Sequence, residues 1–371
     1  MIEEITTALS RVKDPELHRS ITELEMVDSI SFDNGVVTLR VLLTIAGCPM
    51  KDRLESDITS AVRAIPGITS VDLTFGAMTQ EQRDKVKAIM RNGRERHITF
   101  AQPDSLTRVI AIASGKGGVG KSSITANLAV AAAQRGFKVG ILDGDVYGHS
   151  IPRLMGIVGQ RPTALDQSFI PITAHGVKVV SMEMFKPERD DAVAYRGPLL
   201  HRVLEQLLAD AFWGDLDFLF LDLPPGTGDL AISLGQMIPN SEIIVVTTPQ
   251  LAAAEVAERA GRIGHAMHQQ ILGVIENMSG VTCAACGEVT HLFGNGGGEE
   301  TARKLSTLVG ADIALLGKVP FNPELREGGD HGIPLVMSHP ESAAALAINE
   351  IIEKVAKRGK SLLGVRLGLA T

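Results

Sequence analysis

One stretch, RVIAIASGKGGVGKSS at residues 108–123, constrains what this chain can fold into more than any other. Residues 109–113 form a short apolar run, β-branched at Val109, Ile110 and Ile112, which suits a buried parallel strand. The residues that follow, Gly115, Lys116, Gly117, Gly118, Val119, Gly120, Lys121 and Ser122, fit the phosphate-loop spacing of Gly, four residues, Gly-Lys-Ser. A loop that cradles phosphate must turn several backbone N–H groups inward, and glycine permits the backbone angles this needs. In that pattern Lys121 brings positive charge to the β- and γ-phosphates, and the Ser122 hydroxyl ligates Mg2+. A helix opening at about Ser122 and Ser123 aims the positive end of its dipole at the same spot. A glycine-rich turn that binds nothing would not need a strand before it and a helix after it. Residues 115–123 are therefore the expected nucleotide-phosphate site.

Lys116 is an addition, since the spacing does not require a second lysine directly after the first glycine. With it, the loop resembles the deviant P-loop ATPases, a group that includes the MinD and ParA proteins and the nitrogenase iron protein. The resemblance implies that Lys116 reaches across a homodimer to the partner's nucleotide, which would place it beside Lys121 among the catalytic residues. The plainer alternative is a loop lysine that faces solvent.

At 371 residues the chain has room for more than one domain and a full core. Lysine and arginine number 36 against 43 acidic residues, a net charge of −7, and aromatics make up 4%. Neither a basic footprint nor a stacking surface for nucleic acid is present in that composition. No apolar run approaches membrane-spanning length and the first residues, MIEEITTALS, lack a basic-then-apolar signal, so cytoplasmic location without stable membrane association is expected. The three cysteines, Cys48, Cys283 and Cys286, include one C-x-x-C pair, which suits metal or redox chemistry better than a disulfide framework.

The pattern divides the chain into a small α/β domain at 1–92, a polar linker at 93–107, an ATPase domain at 108–357 and a tail at 358–371. In the first domain, helices are predicted at 2–12, 50–65 and 79–92, and strands at 27–32, 36–44 and 71–75. Asp33-Asn34-Gly35 between the first two strands is a hairpin signal. Asp14-Pro15-Glu16, the stretch at 21–27 and Gly47-Cys48-Pro49 resemble the small domain often joined to iron–sulfur assembly proteins. Cys48, where a strand meets a helix N-terminus, reads either as a ligand or nucleophile of lowered pKa or as a small core residue.

In the larger domain, strands are predicted at 108–113, 138–142, 177–181, 218–222, 242–247, 271–276 and 313–317. Amphipathic helices lie between them, for example at 199–212 and 252–267, and a last helix is expected at 341–357. Such alternation predicts an α/β fold with a mostly parallel sheet covered by helices on both faces and ligands at the carboxyl ends of its strands. The tail, SLLGVRLGLAT, carries too few basic residues for an electrostatic membrane site and reads as disorder or packing.

Three further motifs complete a nucleotide site. Asp143-Gly144-Asp145-Val146-Tyr147-Gly148 ends one strand, and two carboxylates one residue apart can serve a metal and an attacking water. In the resembling family, Asp145 orients or activates that water and Asp143 lies near Mg2+; the family usually has proline where this chain has His149. Phe218-Leu219-Phe220-Leu221-Asp222 is an apolar strand ending in an acid, whose carboxylate holds Mg2+ through water. Pro224-Pro225-Gly226-Thr227-Gly228-Asp229 follows, where a γ-phosphate-sensing switch would sit. Asn277 occupies the position from which the family's asparagine contacts adenine.

Cys283-Ala284-Ala285-Cys286 supplies two thiolates close enough to share a metal or a cluster edge. His291 is a candidate third ligand, and a redox pair is another reading. Two chains about a two-fold axis would offer four thiolates, enough for a 4Fe–4S cluster. The loop with Lys116, Asp-Gly-Asp-x-Tyr-Gly, Asp-x-Pro-Pro-Gly-Thr-Gly-Asp, Glu-Asn-Met-Ser and Cys-x-x-Cys occur in the order seen in the Mrp (ApbC) family of iron–sulfur cluster carriers. That resemblance covers nearly the whole chain. It implies an ATPase with Mg2+ that binds a labile 4Fe–4S cluster at Cys283 and Cys286 of a homodimer. Its partners would be scaffold proteins and apo iron–sulfur clients. The rival readings are a MinD- or ParA-like positioning ATPase, which would want a membrane helix or basic face, and an electron-transfer reductase.

Overall fold

The computed structural model describes the chain apart from residues 16, 18, 45–49, 91–96, 103, 146–147, 186–196, 227–228, 284–285 and 360–371. It divides into two compact units, one of residues 1–96 with 163–170, the other of 97–162 with 171–371.

The first unit is built on a three-stranded sheet. Val27–Asp33 pairs antiparallel with Val36–Leu43, which pairs in parallel with Ser70–Ala77. Asp33 faces Val36, so the loop is only Asn34 and Gly35, both at positive φ (46° and 84°), the two-residue turn that matches strand twist. The middle strand alternates, burying Val37, Leu39 and Val41 while the residues between them stay exposed. Helices Ile2–Leu9 and Lys51–Arg63 bury Ile5, Leu9, Leu54, Ile58 and Val62, the four-residue spacing of one helical face. Helix Gln80–Met90 also belongs here, as does a hairpin of Thr163–Leu165 with Ser168–Ile170. At the hairpin's turn, Asp166 accepts a hydrogen bond from Gln80 at 2.9 Å and pairs with Lys87 at 2.6 Å and Arg83 at 3.4 Å. Cys48 lies outside the described residues.

In the second unit eight strands form one sheet, in the order Leu315–Val319, Gln270–Asn277, Glu242–Thr247, Arg108–Ser114, Phe218–Asp222, Val139–Asp143, Val177–Ser181, Ile172–Ala174. Every neighbouring pair is parallel except the edge strand Ile172–Ala174, which runs antiparallel. The four central strands are buried along their whole length, and this is why their sequences are continuous apolar runs. Helix Lys121–Gln134 is buried from Ile124 to Ala132, its run of alanines allowing close approach on several sides. Helix Ala343–Lys357 packs Ala344, Ala345, Ile348, Ile351, Ile352 and Val355 into the same core. The α/β architecture agrees with the sequence pattern, and the differences lie at element boundaries and in short strands. The last strand is Leu315–Val319, not 313–317, because its pairing register with the neighbouring strand puts Val319 opposite Asn277. The three-residue strands at 163–174 are too short to leave a periodic signal, and they were not anticipated. Among the described residues no helix is long and apolar enough to cross a membrane.

Candidate nucleotide site and cysteine hairpin

Parallel pairing sets Ile112, Asp222, Asp143 and Ser181 in one row across four adjacent strands. That register, at the carboxyl ends of the strands, brings the two predicted acids Asp143 and Asp222 together. The loop from Gly115 to Gly120 leads out of the central strand and into helix Lys121–Gln134. Gly120 stands just before the helix at φ 78°, and a Cβ there would collide with the side-chain amide of Asn277. Lys121 is 6% exposed and its Nζ lies 2.6 Å from Oδ1 of the fully buried Asp222. Ser122 Oγ donates to Asp222 Oδ2 at 2.5 Å, and Thr125 Oγ1 donates to Oδ1 at 2.9 Å.

Asp143 accepts from Ser181 Oγ at 3.0 Å and from the Asp145 N–H at 3.1 Å. Burial, and then the charge of Asp222, push the Asp143 carboxyl well above the usual carboxylate range, with Lys121 partly opposing them. Asp145 is buried, and its Oδ1 accepts from the Gly148 N–H at 3.0 Å. Nδ1 of His149 lies 2.7 Å from the Asp145 carbonyl, so the histidine ties back the loop where the resembling family has proline. Val146 and Tyr147 lie outside the described residues.

Two buried carboxylates beside one lysine ammonium form a group short of positive charge. Such a donor set fits a hard divalent cation such as Mg2+, and Ser122, Asp222 and Asp143 are the residues that would hold it. The Lys121 ammonium supplies part of the missing charge to Asp222.

Asn277 donates through Nδ2 to the Val119 carbonyl at 2.9 Å. Its Oδ1 is buried and has no hydrogen-bond partner among the described residues. Asn277 lines a cavity of about 620 Å³ together with Gly120, Ser123, Arg153, Phe321 and Arg326. A buried acceptor without a donor costs on the order of 1–3 kcal/mol, and a ligand amino group entering the cavity could supply the donor. In the predicted switch, the Gly226 N–H donates to the Ser114 carbonyl at 2.9 Å; Thr227 and Gly228 lie outside the described residues. Lys116 Nζ donates to Gln250 Oε1 at 2.8 Å.

Cys283 and Cys286 are exposed and sit at the tip of a small hairpin in which Val281–Thr282 pairs with Val289–Thr290. The turn is closed by the Cys283 N–H donating to the Glu288 carbonyl at 2.8 Å and the Gly287 N–H donating to the Cys283 carbonyl at 2.9 Å. Ala284 and Ala285 lie outside the described residues. Among the described residues no group of three or more His, Cys, Asp or Glu could hold a metal ion, so His291 does not complete a site with the pair. His291 Nδ1 instead lies 3.3 Å from the Ser279 carbonyl. The hairpin is rooted in the cavity wall. Its base follows Asn277 and Met278 directly, and the Phe321 N–H donates to the Gly280 carbonyl at 2.8 Å.

Three partners of the site, and the Gln250 that holds Lys116, were not read from the sequence. Thr125 was open to detection, since one helical turn separates it from Lys121 and puts both on one face. Ser181, Gln250 and Phe321 come from distant segments and carry no local signal.

Comparison with known proteins places these features in a family. Residues 105–356 match the family described as NUBPL iron-transfer P-loop NTPase, and residues 2–73 match the iron–sulfur cluster assembly protein family. An iron–sulfur cluster carrier protein of Mycobacterium tuberculosis is 53% identical over 367 residues, covering 98% of this chain and 96% of that protein. Among solved structures, a nucleotide-binding protein from Archaeoglobus fulgidus in complex with ADP is 33% identical, with a TM-score of 0.53, covering 66% of this chain and 99% of that one. The septum site-determining protein MinD from Pyrococcus horikoshii, complexed with Mg-ADP, is 27% identical with a TM-score of 0.50, covering 71% of this chain and 100% of that one. With the phosphate loop, the buried acids and the cysteine hairpin on one P-loop NTPase fold, the chain belongs to the iron–sulfur cluster carrier family.

Proposed function

We propose that the protein is an ATP-hydrolysing homodimer that takes a labile 4Fe–4S cluster from scaffold proteins and delivers it to apo-proteins. The observation that carries this reading is the exposed Cys283 and Cys286 pair on a hairpin with no third ligand among the described residues. The pair on one chain offers two thiolates and a cubane needs four, so the pair of a second copy supplies the rest. A cluster held between two copies at exposed thiols is accessible to a recipient, which suits transfer rather than permanent electron carriage.

The nucleotide half of the proposal follows from the same geometry. Lys121 turns from Asp222 to the β- and γ-phosphates of ATP, and the loop N–H groups of residues 116–122 close around them. Mg2+ supplies charge neutralisation at the phosphates when bound beside Ser122 and Asp222. Asn277 Oδ1 accepts from the exocyclic amino group of adenine, a match that guanine, with a carbonyl there, lacks. Asp145 orients the water whose oxygen attacks the γ-phosphorus as the bond to the bridging oxygen breaks, giving ADP and phosphate. Lys116 of the second copy steadies the charge that develops. That the two similar structures are ADP complexes supports nucleotide binding by this fold.

The test is anaerobic reconstitution with iron and sulfide, reading metal content and oligomeric state. Wild type and Cys48→Ala should hold about four irons per dimer, as a 4Fe–4S cluster on four thiolates requires. Cys283→Ala and Cys286→Ala should hold none. A full cluster on an isolated monomer, or zinc without iron uptake, would overturn the reading.

A further inference from the structure

Lys116 is fixed at both ends within its own chain. Its carbonyl accepts from Ser114 Oγ at 3.1 Å, and its ammonium donates to Gln250 Oε1 at 2.8 Å. Gln250 lies 134 residues away in sequence, so the contact is built by the sheet and not by the loop. Strand Glu242–Thr247 lies alongside strand Arg108–Ser114 with Val246 opposite Ser114. Both strands therefore end at the same level, one running into the phosphate loop and the other into Gln250. Gln250 is extended, at φ −67° and ψ 126°, and stands as the cap residue before helix Leu251–Ala266. Its side chain makes no capping bond to that helix. The amide is thus used on the lysine and not on its own helix end. The chemistry of the contact also matters. A neutral amide holds an ammonium less tightly than a carboxylate would, which keeps the bond breakable.

We propose that Gln250 is a positioning residue that parks Lys116 inside its own chain, and that Lys116 must leave Gln250 before it can act on the nucleotide of a second copy. This rests on the role given to Lys116 above and adds a resting state to it. The parked lysine keeps an isolated chain idle. Gln250 then sets how much chain must associate before hydrolysis begins. The Gly226 N–H bond to the Ser114 carbonyl connects the switch segment to the residue whose hydroxyl holds the Lys116 carbonyl, so a switch movement would loosen the same anchor.

The experiment measures ATP turnover against protein concentration for full-length wild type, Gln250→Ala, Gln250→Glu and Lys116→Ala. Gln250→Ala removes the acceptor and should lower the protein concentration for half-maximal turnover by roughly tenfold or more, the weight of one charge-assisted hydrogen bond. Its KM for ATP and its rate at saturating protein should match wild type. Gln250→Glu converts the contact into an ion pair and should raise that concentration by a similar factor, an effect that added salt relieves. A merely structural glutamine would move both variants the same way, with lower melting temperatures and no salt relief. Shifts in one direction for both variants, or none, overturn the parking role while leaving the Lys116 assignment intact. Wild-type turnover by Lys116→Ala would instead overturn the assignment itself, and parking with it.

Discussion

The two ends of strand Arg108–Ser114 both bury charge, and they do so on opposite plans. At the first end Arg108 and Glu242 are 8% and 2% exposed, joined by two hydrogen bonds of 2.8 and 3.1 Å. The remaining guanidinium nitrogen donates to the Val355 and Arg358 carbonyls, so charge and hydrogen bonds are matched there. At the other end one lysine faces two acids, Asp143 is pushed toward its neutral form, and the Asn277 oxygen lacks a donor among the described residues. The first end is finished by the fold itself. The second is short of a cation and a donor, the two things that a metal-bound adenine nucleotide brings. Buried charge alone therefore says little; whether its partners are all on the chain separates a structural pair from a site.

The comparison breaks most sharply at the finished end. Arg108→Met leaves the Glu242 carboxylate buried without its partner and should cost about 3–5 kcal/mol of stability in denaturant melts. Adding Glu242→Leu should recover most of that loss. A single variant as stable as wild type would show that the pair does not hold the strand's first end.

At the unfinished end the sign reverses. In the ligand-free and metal-free protein Asp143→Asn should raise the melting temperature at neutral pH. The folded pKa of Asp143 lies above the ordinary 3.8, so its contribution is whole below that value and is lost as pH rises through the folded pKa. The variant should flatten this decline while weakening Mg2+-dependent nucleotide binding. Melting curves of the two proteins that differ equally at acid and neutral pH would contradict the burial of a reluctant carboxylate.

The smallest effect belongs to a third, half-exposed arrangement. Hydrogen bonds from Lys87 and then Gln80 hold Asp166 below the usual carboxylate range. Its contribution is present above 3.8 and lost as pH falls through the folded pKa. Solvent screens the pair, with side chains 18% and 28% exposed, so Asp166→Asn should cost less than about 1 kcal/mol. A loss near that of Arg108→Met would mean that exposure does not grade these pairs.

Much of the site was legible because its residues are contiguous. The phosphate loop, Asp143, Asp222 and the cysteine pair each announce themselves within a few positions, and the alternation of apolar runs gives the parallel sheet. What escaped depends on register between distant strands. Nothing near Ser181 marks it as a donor to Asp143; it becomes one because Asp143 lies opposite it. Gln250 meets Lys116 for the same kind of reason. The cavity wall around Phe321 and Arg326 comes from a loop and helix Pro323–His331, whose sequence carries no nucleotide signature. The edge strand Ile172–Ala174 was missed since three residues cannot establish a period.

The hairpin at 163–170 means that the order of the chain and the partition of the fold do not coincide. A cut just before His97 would split the first unit itself, because the fragment beginning at His97 keeps the Asp166 that pairs with Gln80, Arg83 and Lys87 on the other. The same fact bears on recombination. A small domain grafted from a relative at the linker arrives with its own residues at positions 80, 83 and 87, and must accommodate a hairpin that came from the host.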